Sequence, residues 1–418
     1  MAGSGSGSGS SAGAGSSSQN QSPAPLPPKI LLAKPGLVTG APVAAKFGRG
    51  GAADDDTASL RSRLPPIGSL NLLSDSWDFH IDRFLPFLTE NTEFTVVGVI
   101  GPPGVGKSTI MNELYGFDAT SPGMLPPYAT QSEDARVMAR HTSMGIEPRV
   151  SAERFILLDT QPVFSPSVLA EMMRPDGSST IPVLSGETLS AELAHEIMSI
   201  QLGVLLTSIC HIVLVVSEGV HDLNMWRLML TVDLLKHGIP DPSSLASSLS
   251  QSIGPEKDGK DKVQEGEEYM ATPVFVHTKL QHQDLNPRNF AQLKKALAQY
   301  FSTSSFMREK HGNLSKEHHF SSVAPSTWIQ DPDSLVPDLF VIPIKNKDDS
   351  PRDQYESHSS MLWRLRDQVL SMNGSSLART VSERDWLKNS AKIWDLVKNS
   401  PIISEYSRTL QSSGLFRR

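Results

Sequence analysis

The stretch VVGVIGPPGVGKSTIMNEL, residues 96–114, decides the fold. Its first residues are apolar and β-branched, as in a buried strand, and its last residues, 108–114, can form a helix. Between them, residues 101–108 match the phosphate-loop pattern G-x-x-x-x-G-K-[ST] in full. Strand, glycine-rich loop and helix therefore follow one another in the required order. A glycine-rich turn without a ligand is the alternative, but it leaves Lys107 and Ser108 at the start of the helix unexplained.

The residues of this loop suit the phosphates of a nucleotide. Glycines let successive N–H groups turn towards a phosphate, and the start of a helix adds partial positive charge. The lysine would contact the outer phosphates, and the serine hydroxyl would bind Mg²⁺. We therefore predict a nucleotide site that includes the loop residues Gly101, Gly104, Val105, Gly106, Lys107, Ser108 and Thr109.

Strand-like and helix-like segments alternate after the loop. Apolar strand-like runs occupy 154–159, 211–217, 272–277 and 338–345, and amphipathic runs occupy 185–206, 222–236 and 289–301. Such alternation predicts a parallel sheet with helices on both faces. The predicted fold class is therefore α/β, a P-loop NTPase with a G-domain-like core. After residue 345 the pattern indicates only helices, at 360–372 and 382–400.

The beginning of the chain has the composition of a disordered tail. Residues 1–72 are rich in Gly, Ala, Ser and Pro. The first 71 residues carry +3 of the total net charge of −7, which leaves −10 for the remainder. This negative charge argues against a broad nucleic-acid-binding face. PKILLAKP (28–35) is equally consistent with a partner-docking segment and with a random apolar patch.

We expect three parts in the chain. The tail at 1–72 is followed by a degenerate G-domain at 73–345, and a linker with C-terminal helices that pack on the G-domain occupies 346–418. A stretch rich in Ser, Gly, Lys and Glu at about 240–271 predicts a disordered insertion. Two tryptophans at helical spacing in the last predicted helix favour packing on the domain over a partner site.

Cysteine usage and hydropathy bear on the compartment. Cys210 is the single cysteine, which excludes an internal disulfide or a cysteine zinc site and suits a reduced, intracellular setting. The first charged side chain is Lys29, so we predict no signal peptide. The apolar run at 202–220 could suggest a membrane helix, but His211 and Glu218 interrupt it. The end of a buried helix followed by a central strand is the preferred interpretation.

A magnesium site also needs ligands from outside the loop. Asp159 ends the second predicted strand, where phosphate-loop proteins hold the magnesium shell through water. HTSMGI (141–146), followed by LLDT (157–160), resembles the switch region of the guanylate-binding and atlastin GTPases. This resemblance makes Thr142 the candidate γ-phosphate sensor, with an ordinary loop threonine as the alternative. The predicted metal residues are therefore Ser108, Thr142 and Asp159.

Three features of a working GTPase are missing. Pro162 replaces the glycine whose N–H would meet the γ-phosphate, and Val163 stands where small GTPases carry a water-orienting Gln. Gly104 stands where the guanylate-binding family has an internal arginine finger, which alone is worth roughly 10³–10⁵ in rate. We therefore predict a nucleotide binder that is not an enzyme, although weak NTPase activity stays open.

The motif that reads the base is also degraded. Thr278 and Lys279 fit the start of Asn/Thr-Lys-x-Asp, and both belong to the predicted nucleotide site. Gln281 takes the place of the carboxylate, and Asp284 comes three residues too late. A neutral Gln cannot form the charge-assisted bonds by which a carboxylate holds guanine. The predicted cofactors are therefore a purine nucleotide, GTP/GDP or ATP, and Mg²⁺.

A resemblance to one family covers about residues 75 to 411. LLDTQPVFSPSVL (157–169), CHIVLVVSE (210–218) and DWLKNSAKIWDLVKNSPIISEYSRTL (385–410) resemble the ninth-member family of the suppressor-with-morphological-effect-on-genitalia proteins, which act in nonsense-mediated mRNA decay. The resemblance implies a G-fold subunit that pairs with the eighth member. Together they would bind and restrain the large phosphatidylinositol-3-kinase-related kinase that phosphorylates the decay RNA helicase. The extra Met144 and the Ser-rich stretch at 241–264 depart from that family.

The sequence therefore predicts a non-catalytic, nucleotide-binding regulatory subunit of nonsense-mediated mRNA decay. We expect it in the cytoplasm, with the nucleus as an additional location, and in contact with neither a membrane nor a specific nucleic-acid sequence. Two alternatives stay open. One is a slow GTPase of the guanylate-binding/atlastin class that acts through nucleotide-dependent dimerisation, and the other is a scaffold with a relic loop.

Overall fold

The computed structural model describes residues 70–414, except for 75, 119–124, 139, 175–188, 246–267, 308–337, 347–355, 373 and 378–379. All described residues belong to one compact unit, Pro65–Arg418. Most of the predicted tail, with PKILLAKP, and most of the predicted insertion lie outside the described residues.

Within the described ranges, the strands form one mixed sheet. They are β1 Thr95–Ile100, β2 Ile146–Val150, β3 Phe155–Thr160, β4 Ile212–Glu218, β5 Thr272–Leu280 and β6 Asp338–Pro343. Their order is β2-β3-β1-β4-β5-β6. Every neighbouring pair is parallel except β2 and β3. The predicted α/β class is confirmed, with one antiparallel edge strand that the sequence pattern did not reveal.

Helices cover the two faces of this sheet. They are α1 Lys107–Tyr115, α2 Glu133–Val137, α3 Pro166–Met172, α4 Ala191–Ile209, α5 Leu223–Leu235, α6 Pro287–Tyr300, α7 His358–Ser371, α8 Glu383–Lys398 and α9 Pro401–Ser412. Alternate side chains of a strand point to opposite faces. Val97 and Val99 accordingly pack with α1 and α7, while Val96 and Ile100 pack with α4, α5 and α8.

The centre of the sheet is a topological switch point. β1 lies between β3 and β4, so the chain leaves the central strand towards opposite edges. In open α/β sheets, ligands bind in the crevice outside the carboxyl ends of the strands at such a point. The fold therefore places the phosphate-loop sequence, which follows β1 directly, where a ligand is expected.

The apolar run at 202–220 is divided between α4, which ends at Ile209, and β4, which begins at Ile212. This division agrees with the preferred interpretation of that run. In the described part of the chain, no helix has both the length and the apolar character needed to cross a membrane.

The C-terminal helices pack against the sheet domain through aromatic residues. The Trp394 and Trp77 rings meet edge to face with centroids 5.5 Å apart, and both side chains are buried. Trp386 Nε1 donates to the carbonyl oxygen of Ile209 over 2.8 Å. The Ser382 hydroxyl accepts a hydrogen bond from the N–H of Asp385 and caps α8.

The structure moves two of the predicted boundaries. Leu72, assigned to the tail, is fully buried, and its N–H donates to the carbonyl oxygen of Ile146 over 2.8 Å. Tyr269, assigned to the insertion, donates its hydroxyl to the carbonyl oxygen of Cys210 over 2.6 Å. Residues 240–245 and 268–271 of the predicted insertion are described as well, and residues 246–267 lie outside the described part of the chain.

Candidate nucleotide-binding site

The loop after β1 has the backbone that a phosphate requires. A Cβ atom on Gly101 would lie 2.2 Å from the carbonyl oxygen of Val216, so only glycine fits there. Gly104 and Gly106 have φ angles of +74° and +98°, a region that glycine adopts without steric cost. No side chain caps the N-terminus of α1, so its first N–H groups stay available to an anion.

A cavity of about 210 Å³ lies beside this loop. It is lined by the loop, by two segments that precede β2, by Pro162 and by Lys279. The lining residues are Pro103, Gly104, Gly106, Lys107, Ser108, Thr109, Thr130, Gln131, Glu133, His141, Thr142, Ser143, Pro162 and Lys279. Most of the predicted site residues therefore meet at one cavity, whereas the lining side chains at 130–141 were not predicted.

Three further predicted residues, Gly101, Val105 and Thr278, lie behind the loop. Gly101 directly follows β1, and Val105 is buried. The Thr278 hydroxyl donates to the carbonyl oxygen of Val105 over 2.9 Å. Thr278 therefore holds the loop in place rather than lining the cavity.

Lys107 is buried beside the cavity. Its ammonium donates to the carbonyl oxygens of Gly101 and Pro102 over 3.0 and 3.1 Å. Burial lowers the pKa of Lys107 to about 8, and the carboxylate of Asp159 opposes this change. The loop therefore holds a positive charge that is incompletely compensated, as a site for anionic phosphates requires.

Asp159 joins the loop to the segment before β2. Its Oδ2 accepts hydrogen bonds from the Ser108 hydroxyl over 2.7 Å and from the Ser143 hydroxyl over 2.8 Å. Burial raises the pKa of Asp159, while Lys107, the two hydroxyls and the backbone N–H of Thr160 oppose this change. The other oxygen, Oδ1, is buried and has no hydrogen-bond partner within the described part of the chain.

This arrangement fits Mg²⁺. The ion is usually held by one or two carboxylates and by phosphate oxygens, and it keeps several waters. The free Oδ1 and the two hydroxyls supply such oxygens directly beside the phosphate loop. Thr142, the third predicted metal residue, lines the cavity and is exposed.

Ser143 belongs to the candidate site, although the sequence pattern does not single it out. HTSMGI has one residue more than the switch pattern it resembles, and that resemblance indicates Thr142. Gly145 and Gln161 extend the pairing of β2 and β3, and Ser143 reaches Asp159 through its side-chain hydroxyl. The Gln161 N–H donates to the Gly145 carbonyl oxygen over 2.8 Å.

The positions that GTPases use for hydrolysis have structural roles here. The Val163 side chain is buried, and its N–H donates to the carbonyl oxygen of Gly101 over 3.2 Å. Gln161 Oε1 accepts from the N–H of Gly145 over 3.1 Å. Gln131 lines the cavity, but its Nε2 donates to the carbonyl oxygen of Arg140 over 2.8 Å. Among the described residues that line the cavity there is no arginine.

At the other end of the cavity, Lys279 adopts a left-handed backbone with a φ of +57°. Its ammonium pairs with Glu218 at 2.7 Å. Gln281 and Asp284 do not line the cavity. Instead, the Gln281 N–H donates to Asp284 Oδ2 over 3.1 Å, so Asp284 closes its own turn.

The sheet order and the loop define a phosphate-loop α/β protein with a G-domain-like core. No protein-family model matches the chain. Over 382 residues it is 31% identical to the nonsense-mediated mRNA decay factor SMG9 of Xenopus laevis, which covers 86% of this chain and 71% of that relative. The factor of the same name from Salmo salar is 28% identical over 361 residues, covering 81% and 67%. The chain belongs to the family of the nonsense-mediated mRNA decay factor SMG9, and the resemblance seen in the sequence is confirmed.

Two solved structures show weak similarity. The septin GTPase domain from Chlamydomonas reinhardtii is 12% identical with a TM-score of 0.27, covering 76% of this chain and 98% of that domain. The bacterial selenocysteine-specific elongation factor EF-Sec is 9% identical with a TM-score of 0.23, covering 50% and 24%. Similarity this low adds nothing to the fold that the strand order already defines.

Proposed function

We propose that this protein is a non-catalytic, nucleotide-binding regulatory subunit in nonsense-mediated mRNA decay. The observation that carries the proposal is the contrast between the two halves of the cavity. On one side, the loop and Asp159 supply groups that suit phosphate and Mg²⁺. On the other side, at the positions that would activate water, Pro162 lines the cavity and Val163 is buried.

Each group of the nucleotide has candidate contacts. The N–H groups of the loop and the ammonium of Lys107 would hold the phosphates, and Ser108 and Asp159 would hold Mg²⁺, which neutralises phosphate charge. Lys279 would flank the base or the ribose. Gln281 stands where the base-reading motif has its carboxylate, and neither Gln281 nor Asp284 lines the cavity, so the proposed ligand is a purine nucleotide, GTP/GDP or ATP.

The absence of hydrolysis follows from the chemistry of the replaced residues. Proline has no N–H to donate to a γ-phosphate. A buried valine cannot orient water, and the amides of Gln131 and Gln161 are already bonded to backbone atoms. A bound triphosphate would therefore stay intact for much longer than in a GTPase, in which such groups are supplied.

Family membership supports the proposed role. The relatives are named as nonsense-mediated mRNA decay factors. In this proposal the chain pairs with a second G-fold subunit, the eighth member of the same group. Together they bind and restrain the large phosphatidylinositol-3-kinase-related kinase. The proposed location is the cytoplasm, with the nucleus as a second compartment, and the proposed partners include no membrane.

The nucleotide part of the proposal is tested with Lys107→Ala in the full chain. Alanine removes the charge that faces the phosphates and is compatible with a helix. We expect affinity for Mg²⁺-nucleotide to fall about 10- to 100-fold, because bonds to charged groups are strong. Lys388→Ala, on the exposed side of α8, is the matched control. Equal affinities for Lys107→Ala and the native chain would contradict the assignment of this cavity.

The partner part is tested by co-expression of the full chain with the eighth member and then with the kinase. The proposal predicts a stable heteromer and slower phosphorylation of the decay helicase in its presence. A chain that stays alone beside both proteins, but forms nucleotide-dependent homodimers, would instead support the slow-GTPase alternative. The resemblance of residues 141–146 to a GTPase switch is the feature that favours this alternative.

A further inference from the structure

A segment upstream of the phosphate loop lies against the residues that follow Ser143. We call the described residues 71–74 and 76–80 the strap and residues 142–146 the switch segment. The Leu72 N–H donates to the Ile146 carbonyl oxygen over 2.8 Å, and the Ile146 N–H donates to the Leu73 carbonyl oxygen over 3.0 Å. The strap therefore pairs with the first residue of β2, the strand at one edge of the sheet.

Two further contacts join the strap to the switch segment. Asn71 Nδ2 donates to the carbonyl oxygen of Met144 over 3.2 Å. Gly145 has a φ of +56°, and a Cβ atom there would lie only 1.7 Å from the carbonyl oxygen of Leu73. The strap therefore contacts both residues that follow Ser143, and the second contact leaves no space for a side chain.

The switch segment is held from its other side by β3. Gln161 exchanges hydrogen bonds with Gly145 through its N–H and its side-chain oxygen. Ser143 is two residues before Gly145, and its hydroxyl reaches Asp159 Oδ2 at 2.8 Å and Ser108 Oγ at 3.3 Å. The strap and Gln161 therefore hold Gly145, two residues after Ser143, from both sides.

The strap is itself anchored far from the cavity. Trp77 is fully buried, and its Nε1 donates to Gln201 Oε1 of α4 over 2.9 Å. Trp394 of α8 donates through Nε1 to the Trp77 carbonyl oxygen over 3.3 Å. A continuous set of contacts therefore runs from Asp159 through the switch segment and the strap to the C-terminal helix α8.

We infer that the strap is part of the nucleotide site, in which Asn71 acts as a positioning residue for Ser143, so that Mg²⁺-nucleotide binding and docking of the strap stabilise each other. This inference rests on the proposed function, because it concerns the same cavity. Coupling between two binding events is reciprocal. Loosening the strap must weaken Mg²⁺-nucleotide binding, and Mg²⁺-nucleotide must protect the strap.

The first experiment measures dissociation of a fluorescent ADP from the full chain, with Mg²⁺ and with EDTA. Asn71→Ala removes one solvent-accessible hydrogen bond, so we expect dissociation with Mg²⁺ to be about threefold to tenfold faster. With EDTA the difference should disappear, because Ser143 acts through the magnesium site. Asn399→Ala is the matched control, since Asn399 Nδ2 also donates to an exposed carbonyl oxygen.

The second experiment measures hydrogen exchange of the backbone amides in the strap. Mg²⁺-ADP should slow exchange at residues 71–80 of the native chain about tenfold, and Ser143→Ala should abolish this protection. Ser371→Ala, which removes an exposed hydroxyl bonded to the carbonyl oxygen of Gln368, should leave the protection intact. The Ser143 readout does not depend on the stability of the Asn71 variant.

The outcomes separate the inference from the proposed function. If the native chain binds Mg²⁺-ADP but strap exchange does not change, and Asn71→Ala dissociates at the native rate, the inference is overturned and the proposed function stands. If the native chain binds no nucleotide, both fail. Faster dissociation of Asn71→Ala in both Mg²⁺ and EDTA would indicate general loosening, and would also overturn the positioning role.

Discussion

The Ser108 hydroxyl donates a 2.7 Å hydrogen bond to Oδ2 of Asp159 and thereby joins the first turn of α1 to the end of β3. A hydroxyl and a carboxylate in this position are the two protein groups that phosphate-loop proteins use around Mg²⁺. Because the partner oxygen Oδ1 is buried and unpaired in the described chain, the carboxylate carries a desolvation cost that a cation would relieve.

The first prediction concerns Asp159→Asn. The substitution keeps the shape of the side chain and removes its charge, so we expect the affinity for Mg²⁺ in the presence of nucleotide to fall about 10- to 100-fold. Binding of nucleotide in EDTA should change much less. Burial raises the pKa of Asp159, so between its ordinary and its raised pKa the folded state binds more protons. The free protein therefore loses stability as pH rises through that window.

Calorimetric titration with Mg²⁺, and thermal unfolding of the free protein from pH 4 to 7, check these statements. The asparagine variant should lack this part of the pH dependence. An unchanged Mg²⁺ affinity would show that Asp159 has no part in holding the ion.

The second prediction concerns the charge of Lys107, whose pKa burial lowers to about 8. Bound phosphates would keep the ammonium charged at higher pH, whereas the free protein loses the proton as pH rises through 8. Affinity should therefore fall up to about tenfold per pH unit above 8. The stability of the free protein changes in the opposite direction. Between pH 8 and 10.5 the unfolded chain binds more protons than the folded chain, so the free energy of unfolding increases as pH rises.

Calorimetry at pH 7.5, 8.5 and 9.5 measures the affinity and the proton uptake. The number of protons taken up on binding should approach one per nucleotide at the highest pH. A flat affinity over this range would indicate that Lys107 does not contact the phosphates in its charged form.

The third prediction concerns the choice of base. Asp284 is bonded to the N–H of Gln281, and its own N–H donates to the Gln281 carbonyl oxygen over 2.9 Å. The carboxylate is thus used within its own turn, and we expect the affinities for ADP and GDP to agree within about tenfold. A site that reads a hydrogen-bonding group of its ligand would discriminate by roughly 10⁴–10⁵.

Competition binding with the two diphosphates measures this ratio, and Asp284→Asn should leave it within threefold of the native value. A preference for GDP of a thousandfold or more would show that a guanine-reading group exists which the structure places elsewhere.

The fourth prediction concerns the attachment of the C-terminal helices. The buried carboxylate of Glu383 accepts from the Thr89 N–H over 2.7 Å and pairs with Arg154 at 2.5 Å. Glu383→Ala leaves these donors unpaired, so the free energy of unfolding should fall by about 2–4 kcal/mol. Glu405→Ala, which breaks an exposed pair with Arg408 on α9, should cost less than about 0.5 kcal/mol.

A double-mutant cycle with Arg154→Ala and urea denaturation measures the coupling, which we expect to exceed about 1 kcal/mol. Additive effects of the two substitutions would show that the pair does not contribute to the attachment of α8.

The parts of the fold that could be predicted from the sequence are those with local signals. The loop motif identifies the end of β1 and the start of α1, and short apolar runs identify the other parallel strands. β2 could not be predicted because Pro148 interrupts it. Proline is tolerated in a strand at the edge of a sheet, and only the tertiary structure shows that β2 is such a strand.

The part of the site that was missed depends on register between distant segments. Ser143 reaches Asp159 through its hydroxyl, and the strap lies against the switch segment mainly through backbone groups that any sequence carries. Neither contact has a local signal. The start of α9 has a local signal, since Ser400 and Pro401 are favourable at the cap and first position of a helix. Because α8 ends only three residues earlier, the sequence pattern does not separate the two helices.

The measurement that tests the central claim most directly follows the fate of bound nucleotide. The full chain is loaded with γ-³²P-labelled GTP or ATP and Mg²⁺, and the nucleotide is extracted and separated at intervals. We predict stoichiometric binding and recovery of intact triphosphate, with phosphate release far below about 1 s⁻¹, whereas typical enzymes turn over at about 10 s⁻¹. Phosphate release above about 1 s⁻¹ that Lys107→Ala abolishes would contradict the account and identify an ordinary NTPase.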